Sequence, residues 1–207
     1  VVKKYGHHGH PHSHGTHDSG TIAAVGNNGL GIIGVAPGAR VMPVQALDDY
    51  DGSGFSWELA MAITYAAANG AEVINNSWRC SYYCPSNPVV EDAVRAAHGL
   101  GAVIVFSAGS AVAGNTDDVL RYSPQNMWEP LVVAVSDQMD ETPDLYTSFG
   151  LRLDVAAPGG GPPIPPPSVR PYYNMLSLKS QICGVAMCTN PELIVGSRYV
   201  RHGGTSM

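Results

Sequence analysis

The sequence predicts an α/β fold, a mostly parallel sheet with helices on both faces in three layers. Two observations carry this expectation. Residues 102–106 and 131–135 are uninterrupted apolar runs, as expected for strands covered on both sides. Segments with helical period alternate with them, so strand, helix, strand, helix and strand succeed one another.

The elements follow in order. Residues 1–13 are polar and carry His7, His8, His10 and His12. Small and apolar residues over 16–25 predict a helix, ended by Gly26-Asn27-Asn28-Gly29. Residues 41–47 read as a strand, with Pro43 favouring an early or irregular position in it. After a loop over 48–54, Phe55, Leu59, Ile63 and Ala66 mark a helix over 55–69 that Gly70 caps. A short strand over 72–76 leads into a loop with Cys80 and Cys84. A helix over 89–100 is stopped by Gly99 and Gly101, and a last strand over 153–157 ends at Pro158-Gly159. Five prolines between Pro162 and Pro167 mark an extended loop, which opens an insertion running to about residue 202.

Composition narrows the function. The 207 residues suit one large domain or two small ones with a substantial core, and 44% hydrophobic content excludes disorder. Net charge is −6, which leaves no basic footprint for nucleic acid. No apolar run approaches the ~18 residues of a membrane span, so no membrane partner is expected. The cysteines form two close pairs, Cys80/Cys84 and Cys183/Cys188, without zinc-site spacing. Local disulfides and an oxidising, secreted setting are the expectation.

In an open α/β sheet, ligands bind beyond the carboxyl ends of the strands. Chemistry is therefore expected after Leu47, Asn76, Phe106 and Ala157. Three segments stand out: His14-Gly15-Thr16-His17 with Gly20-Thr21-Ile22-Ala23-Ala24, then Ser107-Ala108-Gly109-Ser110, then Gly204-Thr205-Ser206-Met207. A histidine opening a helix and a serine in a tight turn suit a general base and a nucleophile.

Taken together, the segments resemble the subtilisin-like serine proteases, the subtilases. His14 with its helix resembles the family's catalytic-histidine helix, and residues 27–37 resemble the loop after it. Ser53-Gly54 resembles a substrate-binding loop, and Ile74-Asn75-Asn76-Ser77-Trp78 the wall of the specificity pocket, with Ala108-Gly109 also at the substrate. Asp154 to Gly159 and Gly204 to Met207 resemble the late motifs.

The resemblance implies a subtilisin-like fold and a serine endopeptidase acting as a monomer on polypeptides. Ser206 would attack the carbonyl, with His14 as its base. It also implies a partial catalytic domain over 1–207, lacking the upstream strand that carries the orienting Asp and the helices after Ser206, with the insertion over about 160–202. Residues 1–13 contain no Asp or Glu.

Several positions depart from the pattern. Ser110 stands where the family has an Asn that donates to the oxyanion, and losing that donor costs about 10²–10³ in rate in subtilisin. Ser13 replaces a Gly, Asp18 a small or apolar residue, and Arg79 a Gly. No cofactor is required, although Asn28 and the carbonyls of Leu30 and Ile32 resemble a structural calcium loop. Two other readings stand beside the protease. One is a catalytically impaired relative that binds peptide strands, and the other a metal-binding module built on the His-rich segment.

Overall fold

The computed structural model describes residues 13–48, 52–80, 82–109, 117–137, 139–142, 147–160, 174–184 and 186–207. They fall into two compact units. One comprises residues up to Gly54 together with the segment ending at His202, and the other runs from Phe55 onward and includes Gly203–Ser206.

The second unit holds the predicted parallel sheet. Its strands β1 (Val73–Asn76), β2 (Val103–Ser107), β3 (Leu131–Ser136) and β4 (Val155–Pro158) lie in that order. Every pairing is parallel, with Asn76 opposite Phe106, Ser107 opposite Val133 and Ser136 opposite Pro158. The carboxyl ends are thereby brought to one edge. Helices α2 (Ser56–Ala68) and α3 (Pro88–Gly99) pack on each other and against β1 and β2.

Their sequences explain their faces. In α2, Leu59, Ile63 and Ala66 recur at helical spacing and are buried, while Trp57, Met61 and Tyr65 face water. The Glu58 carboxylate accepts the Phe55 N–H at 3.0 Å, satisfying one donor at the helix start. In α3, Pro88 sits in the first turn, where its missing N–H costs nothing, and Val90, Ala93, Val94 and Ala97 are buried. Alternation is equally clear in the sheet. Ile74, Ile104, Phe106, Val132 and Ala134 are buried, whereas Val73, Val103, Leu131 and Val155 keep about half their surface exposed.

The first unit is built around α1 (His14–Ala23) and a three-stranded antiparallel sheet. Its strands are β5 (Met175–Leu178), β6 (Ile194–Val195) and β7 (Tyr199–His202), in the order β5-β7-β6, with the short helix α4 (Ala186–Thr189) between β5 and β6. Helix α1 lies on β5 so closely that a Cβ on Gly20 would come within 2.4 Å of Ser177 Oγ. Residues 34–36 hydrogen-bond to the carbonyls of Ala24, Thr21 and Ile22 at 2.8–3.0 Å, closing the turn after the helix.

One expectation changes. Residues 41–47 form no strand; they have no ladder partner among the described residues, and Pro43 removes one donor that a ladder would need. The region expected as an insertion holds β5–β7 and packs on α1, while its proline run lies outside the described residues. The local cysteine pairs do form disulfides, Cys80–Cys84 and Cys183–Cys188, with Cα separations of 6.4 and 5.7 Å.

Phe106 is fully buried, and its ring meets Trp78 edge-on at 4.9 Å. Phe106→Ala should cost about 3–5 kcal/mol in urea unfolding, through lost burial and the cavity left behind. A cost below about 1 kcal/mol would mean that this core is not packed as described.

Candidate active site

The carboxyl edge of the parallel sheet gathers most of the predicted site residues in the second unit. Trp78 follows β1 and lies against Phe106. Its carbonyl accepts a hydrogen bond from Gln125 Nε2 at 2.9 Å, and the same amide donates to the Ser107 carbonyl at 3.2 Å. Gln125 thereby fastens the loop after β1 to the end of β2. Ala108 is fully buried, and Gly109 continues with φ +99°, a conformation that side chains disfavour.

The segment 203–206 is tied to this edge at three places. Gly204 N–H donates to the Gly159 carbonyl at 2.9 Å, Gly109 N–H donates to Thr205 Oγ1 at 3.1 Å, and Ser77 Oγ donates to the Ser206 carbonyl at 3.0 Å. Ser206 Oγ is oriented toward the Ser77 carbonyl at 3.4 Å. The backbone approach at Gly159 is so close that a Cβ there would lie 2.5 Å from the Gly204 oxygen. Thr205, Gln125 and Gly159 were not singled out from the sequence as site residues. Their contributions are hydrogen bonds across 18 to 96 positions; Gly159 and Thr205 lie within the late motifs, whereas no local pattern signals Gln125.

His14 belongs to the first unit, at the start of α1. Its Nδ1 lies 3.8 Å from Asp18 Oδ2, one turn along the helix, beyond hydrogen-bond range. Burial pushes the His14 pKa down to about 4, so the ring is neutral at pH 7 and able to accept a proton. His17 is fully buried on the same helix. Its Nε2 lies 3.0 Å from the Met175 carbonyl, which can only accept, so Nε2 carries the proton. Its Nδ1 is buried and meets no partner at full hydrogen-bond geometry among the described residues. Burial lowers its pKa to about 4 against the raising effect of the Met175 hydrogen bond, and nearby His14 lowers it further.

Ser13, buried at the helix start, accepts the Ser180 N–H at 2.8 Å, so this departure from the family pattern has a structural partner. Ser53 and Gly54 also lie in the first unit, where Ser53 offers its carbonyl to the Asp48 N–H at 2.6 Å. Ser110, at the oxyanion position, lies outside the described residues, as do His7, His8, His10 and His12.

The loop proposed for calcium does not fit the ion as it stands. Asn28 Oδ1 accepts the Leu30 N–H at 2.9 Å, and residues 26–38 contain no Asp or Glu. A hard cation with six to eight oxygen ligands would find backbone carbonyls, including those of Leu30 and Ile32, and one engaged amide. Among the described residues there is no cluster of three His, Cys, Asp or Glu side chains able to hold a metal.

The family model described as the subtilase family matches residues 2–207. This chain is a subtilase. It is 40% identical over 147 residues to the thermophilic serine proteinase of Bacillus sp. (strain AK1), a match covering 71% of this chain and 34% of that protein. It is 41% identical over 146 residues to thermitase of Thermoactinomyces vulgaris, covering 70% and 49% respectively. A solved protease from Pseudoalteromonas arctica superposes with a TM-score of 0.75 at 32% identity, over 94% of this chain and 54% of that one. The subtilase fold is thus shared, and the chain spans about half or less of these relatives' length.

Two outcomes check the geometry. Gly159→Ala should destabilise by about 1–3 kcal/mol and speed amide exchange at Gly204, because the new Cβ forces the two backbones apart. The buried imidazoles set a pH dependence. In the unfolded chain they titrate near 6.5, in the fold near 4, so the unfolded state binds more protons between those values. Stability should be full above pH 6.5 and fall as pH drops toward 4. In thermal unfolding followed across that range, His17→Gln should flatten part of the slope; an unchanged slope would count against burial of a neutral His17.

Proposed function

We propose that this chain is the core of a secreted serine endopeptidase that cleaves polypeptides through an acyl-enzyme on Ser206, with His14 as general base. Ser206 Oγ attacks the substrate carbonyl while His14 takes its proton; the imidazolium then protonates the departing amine, and water releases the acyl group by the reverse sequence. The observation that carries this reading is the three-point tether of Gly204, Thr205 and Ser206 to the carboxyl edge of the sheet. It fixes the backbone of the proposed nucleophile where a parallel α/β sheet binds its ligand.

The Ser206 N–H is available to the developing oxyanion in this reading, with Ser110 as a weak second donor. Ser77, Trp78, Ala108 and Gly109 form the wall that receives the substrate, with Ser53 and Gly54 flanking the peptide strand. The orienting carboxylate is expected from an upstream Asp, because Asp18 contacts His14 only beyond hydrogen-bond range. The two disulfides support an oxidising, extracellular setting.

Labelling of the full protein by a fluorophosphonate, lost in Ser206→Ala and cut at least about a thousandfold in His14→Ala, is the expected result. Absence of labelling in the folded protein would instead favour the peptide-binding relative, the reading to which Ser110 in place of Asn points. In an active protein, Ser110→Asn should raise kcat about tenfold or more with KM nearly unchanged, since the amide acts on charge present only in the transition state. A fall in kcat with the fold intact would mean that another group already serves the oxyanion.

A further inference from the structure

We propose that Arg79 is a specificity determinant that pairs with a substrate carboxylate, so that the site prefers Asp or Glu on the acyl side of the bond it cuts. The proposal rests on the protease reading above and names its substrate class. Arg79 follows Trp78 in the site wall, and its guanidinium carbon lies 4.5 Å from the centre of the Tyr122 ring. The Tyr122 hydroxyl donates to Asp117 Oδ2 at 3.0 Å, which fixes that ring under the cation. The side chain runs over Gly109. A Cβ at that position would meet Arg79 Cδ at 2.1 Å and Nε at 2.2 Å, so the bare backbone of Gly109 is what admits the arginine. Gly109 in turn donates to Thr205 Oγ1, and Thr205 precedes Ser206. The arginine side chain therefore lies over Gly109, which is bonded to the residue before the proposed nucleophile.

Its hydrogen-bonding is incomplete. Arg79 Nη1 is buried without a hydrogen-bond partner among the described residues, while the side chain as a whole stays partly exposed. Leaving a charged donor buried and unpaired costs more than leaving a neutral one. The other arginines of this unit contrast with it. Arg95 pairs with Asp92 at 3.0 Å, Arg121 with Asp117 at 3.0 Å and Arg152 with Asp154 at 2.9 Å. Arg152, almost fully buried, also donates to the carbonyls of Met127 and Pro130. Of the four, Arg79 alone lacks a carboxylate among the described residues. An incoming Asp or Glu side chain would supply it, and a guanidinium fork is matched in geometry to that group. The acyl-side residue is the one bonded to Ser206 in the intermediate, and its side chain is the one proposed to pair with Arg79. The Gln125 Oε1 atom is also buried without a partner among the described residues, but it is an acceptor, and it favours no anion.

The test uses the full protein and quenched peptides identical except for Glu, Gln or Phe on the acyl side of the cleavage point. Glu should exceed Gln in kcat/KM by about tenfold to a hundredfold, and more at low salt. Arg79→Gln should collapse that ratio to about one, and Arg79→Lys should retain part of it; thermal unfolding midpoints report whether either variant is misfolded. An unchanged Glu-to-Gln ratio in folded Arg79→Gln, or no preference in the parent, overturns the proposal. Fluorophosphonate labelling separates this from failure of the protease reading. If Ser206 does not label, calorimetry of the same Glu and Gln peptides on the Ser206→Ala protein decides: about tenfold tighter binding of Glu, lost in the Arg79→Gln double variant, sustains the proposal, and equal binding overturns it.

Discussion

The site depends on the parallel, in-register pairing of β1 to β4. Because every strand runs the same way, the residues following Asn76, Ser107 and Pro158 emerge at one edge. A chain segment returning from far along the sequence can then be tied to several strand ends at once. Residues 203–206 do this, with bonds to Gly159, Gly109 and Ser77 that come from three different strand ends. Each bond alone contributes about 0.5–1.5 kcal/mol. Their joint effect is geometric: three anchors on four residues leave the Ser206 backbone little freedom to turn.

That edge is itself stiffened by buried amides. Asn76 Nδ2 donates to the carbonyls of Ile74 and Val105, and Gln125 Nε2 to those of Trp78 and Ser107. Carbonyls buried at this edge would be costly to leave unsatisfied. Side-chain amides meet that need and bind adjacent strands to one another. Glu91 extends the same network, accepting from the Asn87 N–H at 2.7 Å and from Ser123 Oγ at 2.8 Å, so the start of α3 is joined to the segment that carries Gln125.

What the sequence disclosed follows from the range of the forces involved. Helices α2 and α3 and all four parallel strands were legible, because burial on one or both faces writes a period into neighbouring residues such as Leu59, Ile63 and Ala66. The sheet β5–β7 was not. Its strands have two to four residues, Ser177 is buried while Met175 and Leu178 are only half covered, and its partner helix lies some 160 positions away. Residues 41–47 erred in the opposite direction: Val41, Met42 and Val44 have strand-like composition, but composition without a neighbouring ladder makes no strand. The motifs around His14 and Ser206 were legible through family resemblance, whereas Thr205 and Gln125 act through contacts that only the fold creates.

The departure at Ser13 has a physical account in the contacts of the His14 helix. Ser13 stands where the family pattern has Gly, and α1 lies against a sheet drawn from the segment after the proline run. Ser13 Oγ holds the Ser180 N–H, Ser177 Oγ holds the His17 carbonyl at 2.7 Å, and His17 Nε2 holds the Met175 carbonyl. Two of these bonds are donated from the segment 177–180 and one from α1, and together they bind one side of α1 to β5 and the turn beyond it. A helix fixed in that way cannot rotate about its axis without breaking all of them. The orientation of His14, one residue after Ser13 and three before His17, is therefore set by residues 175–180 as well as by its own helix, and that region belongs to the framework of the proposed base.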